Sequence, residues 1–140
     1  MWGIHMKFVS MTDTDKKNKG LNNAKETADT AKIKEALSVE FKSARRLGEV
    51  RMGETHFFYR YFIKIRYAAY EEITKAYLRE ESGESGEFLL KEYYLMLETK
   101  SGIMHKLRME REEYARETLK RLENGYSHIV VGFDRLCQSK

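Results

Sequence analysis

A chain of 140 residues can enclose one hydrophobic core but not two, and its 41% hydrophobic and 12% aromatic content excludes disorder throughout. The formal net charge of +4 arises in the first third, where residues 1–47 carry ten Lys and Arg against six Asp and Glu; residues 48–140 carry sixteen of each sign. The body is thus neutral, and a basic surface for an acidic partner has to come from the N-terminal arm or from local clustering. Nine Tyr and seven Phe suit a sheet better than a helix bundle. A single cysteine, Cys137, excludes an internal disulfide and favours a reducing compartment. No apolar run approaches the roughly 20 residues of a membrane helix, and the start lacks a signal peptide's apolar core. A cytoplasmic location is expected.

In chain order, residues 1–21 read as a flexible N-terminal tail, with a short apolar piece at 6–11 and then a polar stretch without periodicity. Residues 22–47 read as an N-terminal helix. Asn23 and Glu26 have capping-box spacing, and Ala24, Ala28, Ala31, Ile33, Leu37, Phe41 and Ala44 form the stripe. Arg45 and Arg46 suit its carboxyl end and Gly48 a left-handed cap. Beyond it the pattern becomes extended: a strand at 50–52, a turn at Gly53 and Glu54, then the aromatic run 56–67. That run is too long for one unbent strand, so a turn or bulge is expected near Arg60. Residues 68–72 read as a connection with one helical turn, 73–81 as a strand and 82–86 as a flexible acidic loop.

The stretch 87–109 organises the rest, because it forms a hairpin with one good register. Tyr93, Leu95 and Leu97 share a face, as do His105, Leu107 and Met109. A two-residue loop at Ser101 and Gly102 would set Leu97 against Lys106 and Leu95 against Arg108. A three-residue loop, Lys100-Ser101-Gly102 with Gly102 left-handed, pairs Leu97 with His105, Leu95 with Leu107 and Tyr93 with Met109, so the apolar rows coincide. After Met109, Tyr114, Ala115, Thr118, Leu119 and Leu122 make a helical stripe, closed at Asn124-Gly125. A short extended piece reaches 133, and 134–140 read as a C-terminal tail.

The fold class predicted is α+β: a bent antiparallel sheet of about six or seven strands, closed or half closed, capped by a C-terminal helix and preceded by another. The run from Tyr70 to Arg79, then Tyr93 to Gly102 with its glycine turn, then the helix, resembles bacterial pleckstrin-homology-like (PH-like) domains. The resemblance spans residues 48–133 and implies a small barrel plugged by the helix. The long first helix and the extended segment after the last one depart from that family's pattern. Lys64-Ile65-Arg66 resembles the basic pair with which some members grip inositol phosphates, but the rest of that basic pattern is missing.

Chemistry has little footing. His5, His56, His105 and His128 lack metal-ligand spacing, and there is no nucleophile elbow, phosphate-cradling glycine loop or zincin motif. No metal, cofactor or catalytic residue is expected, and His105, inside the apolar row, reads as a satisfied core or edge histidine. What remains is a non-catalytic binding or scaffold module for a protein or peptide partner, with homo-oligomer formation through the first helix a further option and an enzyme only the remote alternative. The alternative is an anionic ligand, single-stranded nucleic acid or the acidic lipid headgroups of a membrane surface. The strand 56–67 would hold it, with Arg51, Arg60, Lys64 and Arg66 as the candidate residues.

Overall fold

The computed structural model describes residues 7–12, 23–85 and 88–132. The hairpin predicted to organise the chain has the predicted register. Strand β7 (Phe88–Thr99) pairs with β8 (Met104–Met109) so that Tyr93 meets Met109, Leu95 meets Leu107 and Leu97 meets His105. Gly102 sits at φ 88°, its N–H donating to Thr99 O at 2.8 Å, while the Thr99 N–H donates to Ile103 O at 3.2 Å. This is the three-residue loop, and only a residue without Cβ takes that φ without strain.

Around this hairpin the described residues form an α+β structure of two mixed sheets. The first contains β1 (Lys7–Ser10), β2 (Arg45–Leu47), β3 (Val50–Met52), β4 (His56–Tyr61) and β5 (Lys64–Ala69), in the order β1-β5-β4-β3-β2. The second contains β6 (Ile73–Ser85), β7, β8 and β9 (Val130–Gly132), in the order β8-β7-β6-β9. The single closed or half-closed antiparallel sheet is therefore corrected: the sheets are not closed into a barrel, and each has one parallel edge, β1 on β5 and β9 on β6. The chain changes sheet at a 3-10 turn, Tyr70–Glu72, where Tyr70 is buried, donates its hydroxyl to Gly53 O at 2.8 Å and stacks on Tyr126 at 4.3 Å. The corner is pinned there, so β5 and β6 belong to different sheets.

The facing sides of the sheets share one core. Leu47, Val50, Phe57, Tyr59 and Ala68 come from the first, and Ile73, Ala76, Leu78, Leu95, Leu97, Leu107 and Met109 from the second. Helix α2 (Glu112–Gly125) lies across their end, reaching β2 of one sheet and β6 to β9 of the other, with Ala115, Thr118, Leu119 and Leu122 buried. Thr118 satisfies its buried hydroxyl on Tyr114 O at 2.8 Å. Gly125 is the last helical residue rather than a left-handed cap, and the Tyr126 N–H closes the helix on Leu122 O.

Helix α1 (Asn23–Ser43) covers the opposite face of the first sheet, where Leu37 and Phe41 pack on Phe58 and Ile65 and the Phe41 and Phe58 rings meet edge to face at 5.3 Å. Its carboxyl end is earlier than expected. Arg45 and Arg46 are in β2, and Gly48, at φ 68°, turns β2 into β3 with the Tyr114 ring so close that a Cβ would collide with it. Glu40 fastens the helix to the β3–β4 turn. Its carboxylate accepts from the N–H groups of Thr55 (2.7 Å) and His56 (2.8 Å), the Thr55 hydroxyl (3.0 Å) and His56 Nδ1 (2.9 Å). Burial alone would raise its pKa; these four bonds, led by the Thr55 amide, outweigh it and hold Glu40 below the ordinary value of 4.5.

Three further expectations shift. Lys7–Ser10, placed in the flexible tail, forms β1, and Met11 after it is buried; residues 1–6 and 13–22 lie outside the described set. The turn expected near Arg60 in the run 56–67 is present and lies at Phe62 and Ile63, two residues on. The acidic loop is mostly strand, since β6 runs to Ser85 and β7 starts at Phe88. Residues 134–140 are outside the described set.

Two outcomes test these contacts. Leu119→Ala should cost about 2 to 5 kcal/mol in thermal or urea unfolding, whereas Arg116→Ala, an exposed partner of Glu112, should cost under about 1. Because the pKa of Glu40 is lower in the folded chain, its contribution is present above the ordinary glutamate range and lost as pH falls through the folded value. Glu40→Gln should lower stability by about 1 to 3 kcal/mol near neutrality, a gap that closes as urea midpoints are measured at progressively lower pH.

Candidate functional site

Strand alternation divides the four candidate cations. Arg60 pairs with Ile65 and Arg51 with Phe58, so Arg51 and Arg60 project from the face that α1 covers. Lys64 pairs with Tyr61 and Arg66 with Tyr59, on the face toward the second sheet. The structure does not bring the four together; each pair joins cations from elsewhere.

Arg51 and Arg60 line an open cleft of about 370 Å³ with Arg46, Arg111, Phe62 and Tyr114. Arg46 arrives because β2 pairs it across from Arg51, and Arg111 because it precedes α2. Arg51 Nη1 donates to Phe41 O at 3.2 Å, and its guanidinium lies 4.2 Å from the centre of the Phe41 ring, so it also caps the end of α1. Burial, then the positive charges of Arg46 and Arg60, press its pKa downward. Arg60 Nε donates to Phe62 O at 3.0 Å, and Arg111 meets Glu113 at 3.1 Å. Two carboxylates, Glu49 and Glu110, share the wall. Glu49 Oε2 accepts the Glu110 N–H at 3.2 Å, while its buried Oε1 has no hydrogen-bond partner among the described residues.

Lys64 and Arg66 line a second cleft of about 270 Å³ with Tyr59, Tyr61, Lys106 and Arg108. It opens beside β8, where the Tyr59 hydroxyl donates to Arg108 O at 2.7 Å. Burial, and the nearby Glu49 charge, push the Tyr59 phenol up to about 12, so it remains a donor throughout the neutral range. Lys106 contacts Glu81 at 3.0 Å and Arg108 contacts Glu92 at 3.8 Å.

His105 is half buried in the apolar row, its Nε2 at 2.9 Å from Met11 O, so that nitrogen carries the proton. Burial lowers its pKa, the Met11 carbonyl opposes this, and Arg66 adds to the lowering. His56 is held by Glu40, and His128 Nε2 is 2.9 Å from Tyr70 O. No group of three or more metal-capable side chains occurs among the described residues, and no described helix is long and apolar enough to cross a membrane.

A family model described as a domain of unknown function (DUF6709) matches residues 15–139. The chain belongs to the DUF6709 family. No curated protein and no solved structure matches it. In this DUF6709 domain, Arg46 could be found from sequence only once residues 45–47 are read as strand, since the pairing with Arg51 makes the cluster. Nothing local marks Arg111, Lys106 or Arg108, which tertiary packing brings in.

Because folding depresses its pKa, His105 should stabilise the fold above its ordinary value of 6.5 and lose that contribution as pH falls through the folded value. In an NMR titration its ring should remain neutral below the pH at which an unperturbed histidine protonates.

Proposed function

We propose that this DUF6709 domain is a non-catalytic binding module for a phosphate-bearing anion, held in the cleft of Arg46, Arg51, Arg60 and Arg111. The observation that carries the reading is that four arginines, from β2, β3, β4 and the residue preceding α2, line one open cleft although the body of the chain is neutral. Guanidinium forks match phosphate oxygens, and the mutual repulsion felt by Arg51 is relieved by a bound anion. Glu49 Oε1 on the same wall, buried and without a partner among the described residues, favours a ligand that also offers a hydroxyl or amine donor.

A second reading, addition of a protein or peptide strand, is favoured by β8, an edge strand beside which no other described strand pairs. We also propose kinship with PH-like domains for the part from β2 to α2. What supports it is the order of four antiparallel strands (β2 to β5), three more (β6 to β8) and a helix across their end, with β1, α1 and β9 as additions.

Titration with inorganic pyrophosphate, followed through arginine Nε–H signals, should move Arg46, Arg51, Arg60 and Arg111 together. Affinity should fall steeply with salt and drop by about tenfold in Arg46→Gln, about 1.4 kcal/mol. If pyrophosphate leaves those signals in place while a peptide library shifts Met104 and Lys106 amides with little salt dependence, the edge-strand reading replaces it.

A further inference from the structure

The β4–β5 turn has a composition that folding does not require. Tyr61, Phe62 and Ile63 stand at its apex with 55%, 76% and 52% of their surface exposed. The Tyr61 and Phe62 rings lie 4.5 Å apart, and no core cluster among the described residues includes either residue or Ile63. Phe62 has φ 60°, a left-handed conformation that a bulky side chain rarely adopts and that glycine or asparagine takes readily. Arg60 braces this geometry through its bond to Phe62 O. Stability therefore disfavours Phe62 twice, through its backbone and through its uncovered ring. What the residue supplies is a projecting aromatic edge.

Charge identifies what meets that edge. Phe62 belongs to the wall of the first cationic cleft and Tyr61 to the wall of the second, so the apex rises between two groups of cations on opposite faces of the sheet. Lys64 continues the turn, and Lys7 pairs beside it on β1. A convex apolar wedge with cations on both sides matches a flat anionic surface that is soft and apolar just beneath. Aromatic and aliphatic side chains enter the interface while Lys and Arg remain among the headgroups. A protein groove would have to surround the wedge and present anionic rims on both flanks. Stacking of a single nucleic-acid strand would use the rings but leave Ile63 uncovered.

We infer that the DUF6709 domain docks on anionic lipid bilayers through the apex Tyr61-Phe62-Ile63, with Arg60 and Lys64 at the headgroup level. The electrostatic half rests on the anion-binding reading above; the apolar insertion is independent of it.

Co-sedimentation of the full chain with phosphatidylcholine vesicles, with and without about 30 mol% phosphatidylserine, tests this. The parent should partition onto the phosphatidylserine vesicles and only weakly onto phosphatidylcholine alone. Phe62→Asn should lower partitioning by about tenfold and Ile63→Ser by about fivefold, while neither lowers the melting temperature and Phe62→Asn keeps or raises it. Failure of the parent to sediment with anionic vesicles, or partitioning of Phe62→Asn equal to the parent's, overturns the inference. So does oligothymidylate binding that is lost in Phe62→Asn while vesicle binding is unchanged. If pyrophosphate still moves the arginine signals in any of these cases, the anion site stands without the membrane; if it does not, both readings fall.

Discussion

The arrangement depends on one strand buried on both sides. Phe57 and Phe58 are consecutive in β4, project in opposite directions, and are both fully buried. Phe57 enters the core between the sheets, and Phe58 enters the smaller cluster beneath α1. A strand with two buried faces cannot carry the alternation of a half-exposed strand, so its sequence reads as a continuous aromatic run. The constraint spreads from there. Something must cover Phe58, which α1 does, and α1 is held in place by Glu40 on the β3–β4 turn and by Arg51 on the Phe41 carbonyl. Gly53 is part of the same joint, since a Cβ there would strike the Glu40 side chain.

The hairpin register was legible in the sequence because one-residue slips carry a large penalty where one face is buried, and Gly102 left a single loop length that aligned Leu95 with Leu107. The stripe of α2 was legible for a similar reason: Leu119 and Leu122 had no rival apolar face. Separation into two sheets was not legible, because it depends on the corner at Tyr70, whose partners Gly53 and Tyr126 lie far away in the chain. Short parallel edges such as β1 and β9 carry no periodic signal over three or four residues. The cationic residues were half legible. Arg51, Arg60, Lys64 and Arg66 all line clefts, but alternation sends them to opposite faces, and the partners that complete each cleft come from other elements.

A neutral body and a crowded group of arginines are compatible because many of the carboxylates are paired elsewhere. On the outward face of the second sheet, Glu81 and Glu92 meet Arg79, Lys106 and Arg108, and where the inward rows run out beyond the core Glu80 meets Lys91, all in ion pairs worth little individually. The first sheet has no equivalent ladder among its described residues, where Arg46, Arg51 and Arg60 instead crowd one another. Overall charge, summed along the chain, hides this asymmetry.

The β6–β7 ribbon has a mechanical consequence. Its two strands pair from Ile73 and Thr99 out to Ser85 and Phe88, but β9 accompanies β6 only at Lys75–Tyr77, and β8 accompanies β7 only as far as Tyr93. The outer pairs, from Ser82 with Lys91 to Ser85 with Phe88, are therefore a cantilever supported at one end. Two strands without a third are marginal in water, so protection of their amides should decay stepwise from the root outward. Bending of the distal ribbon leaves the two-sheet core undisturbed, and the domain can present that arm over a range of angles while its clefts keep their shape.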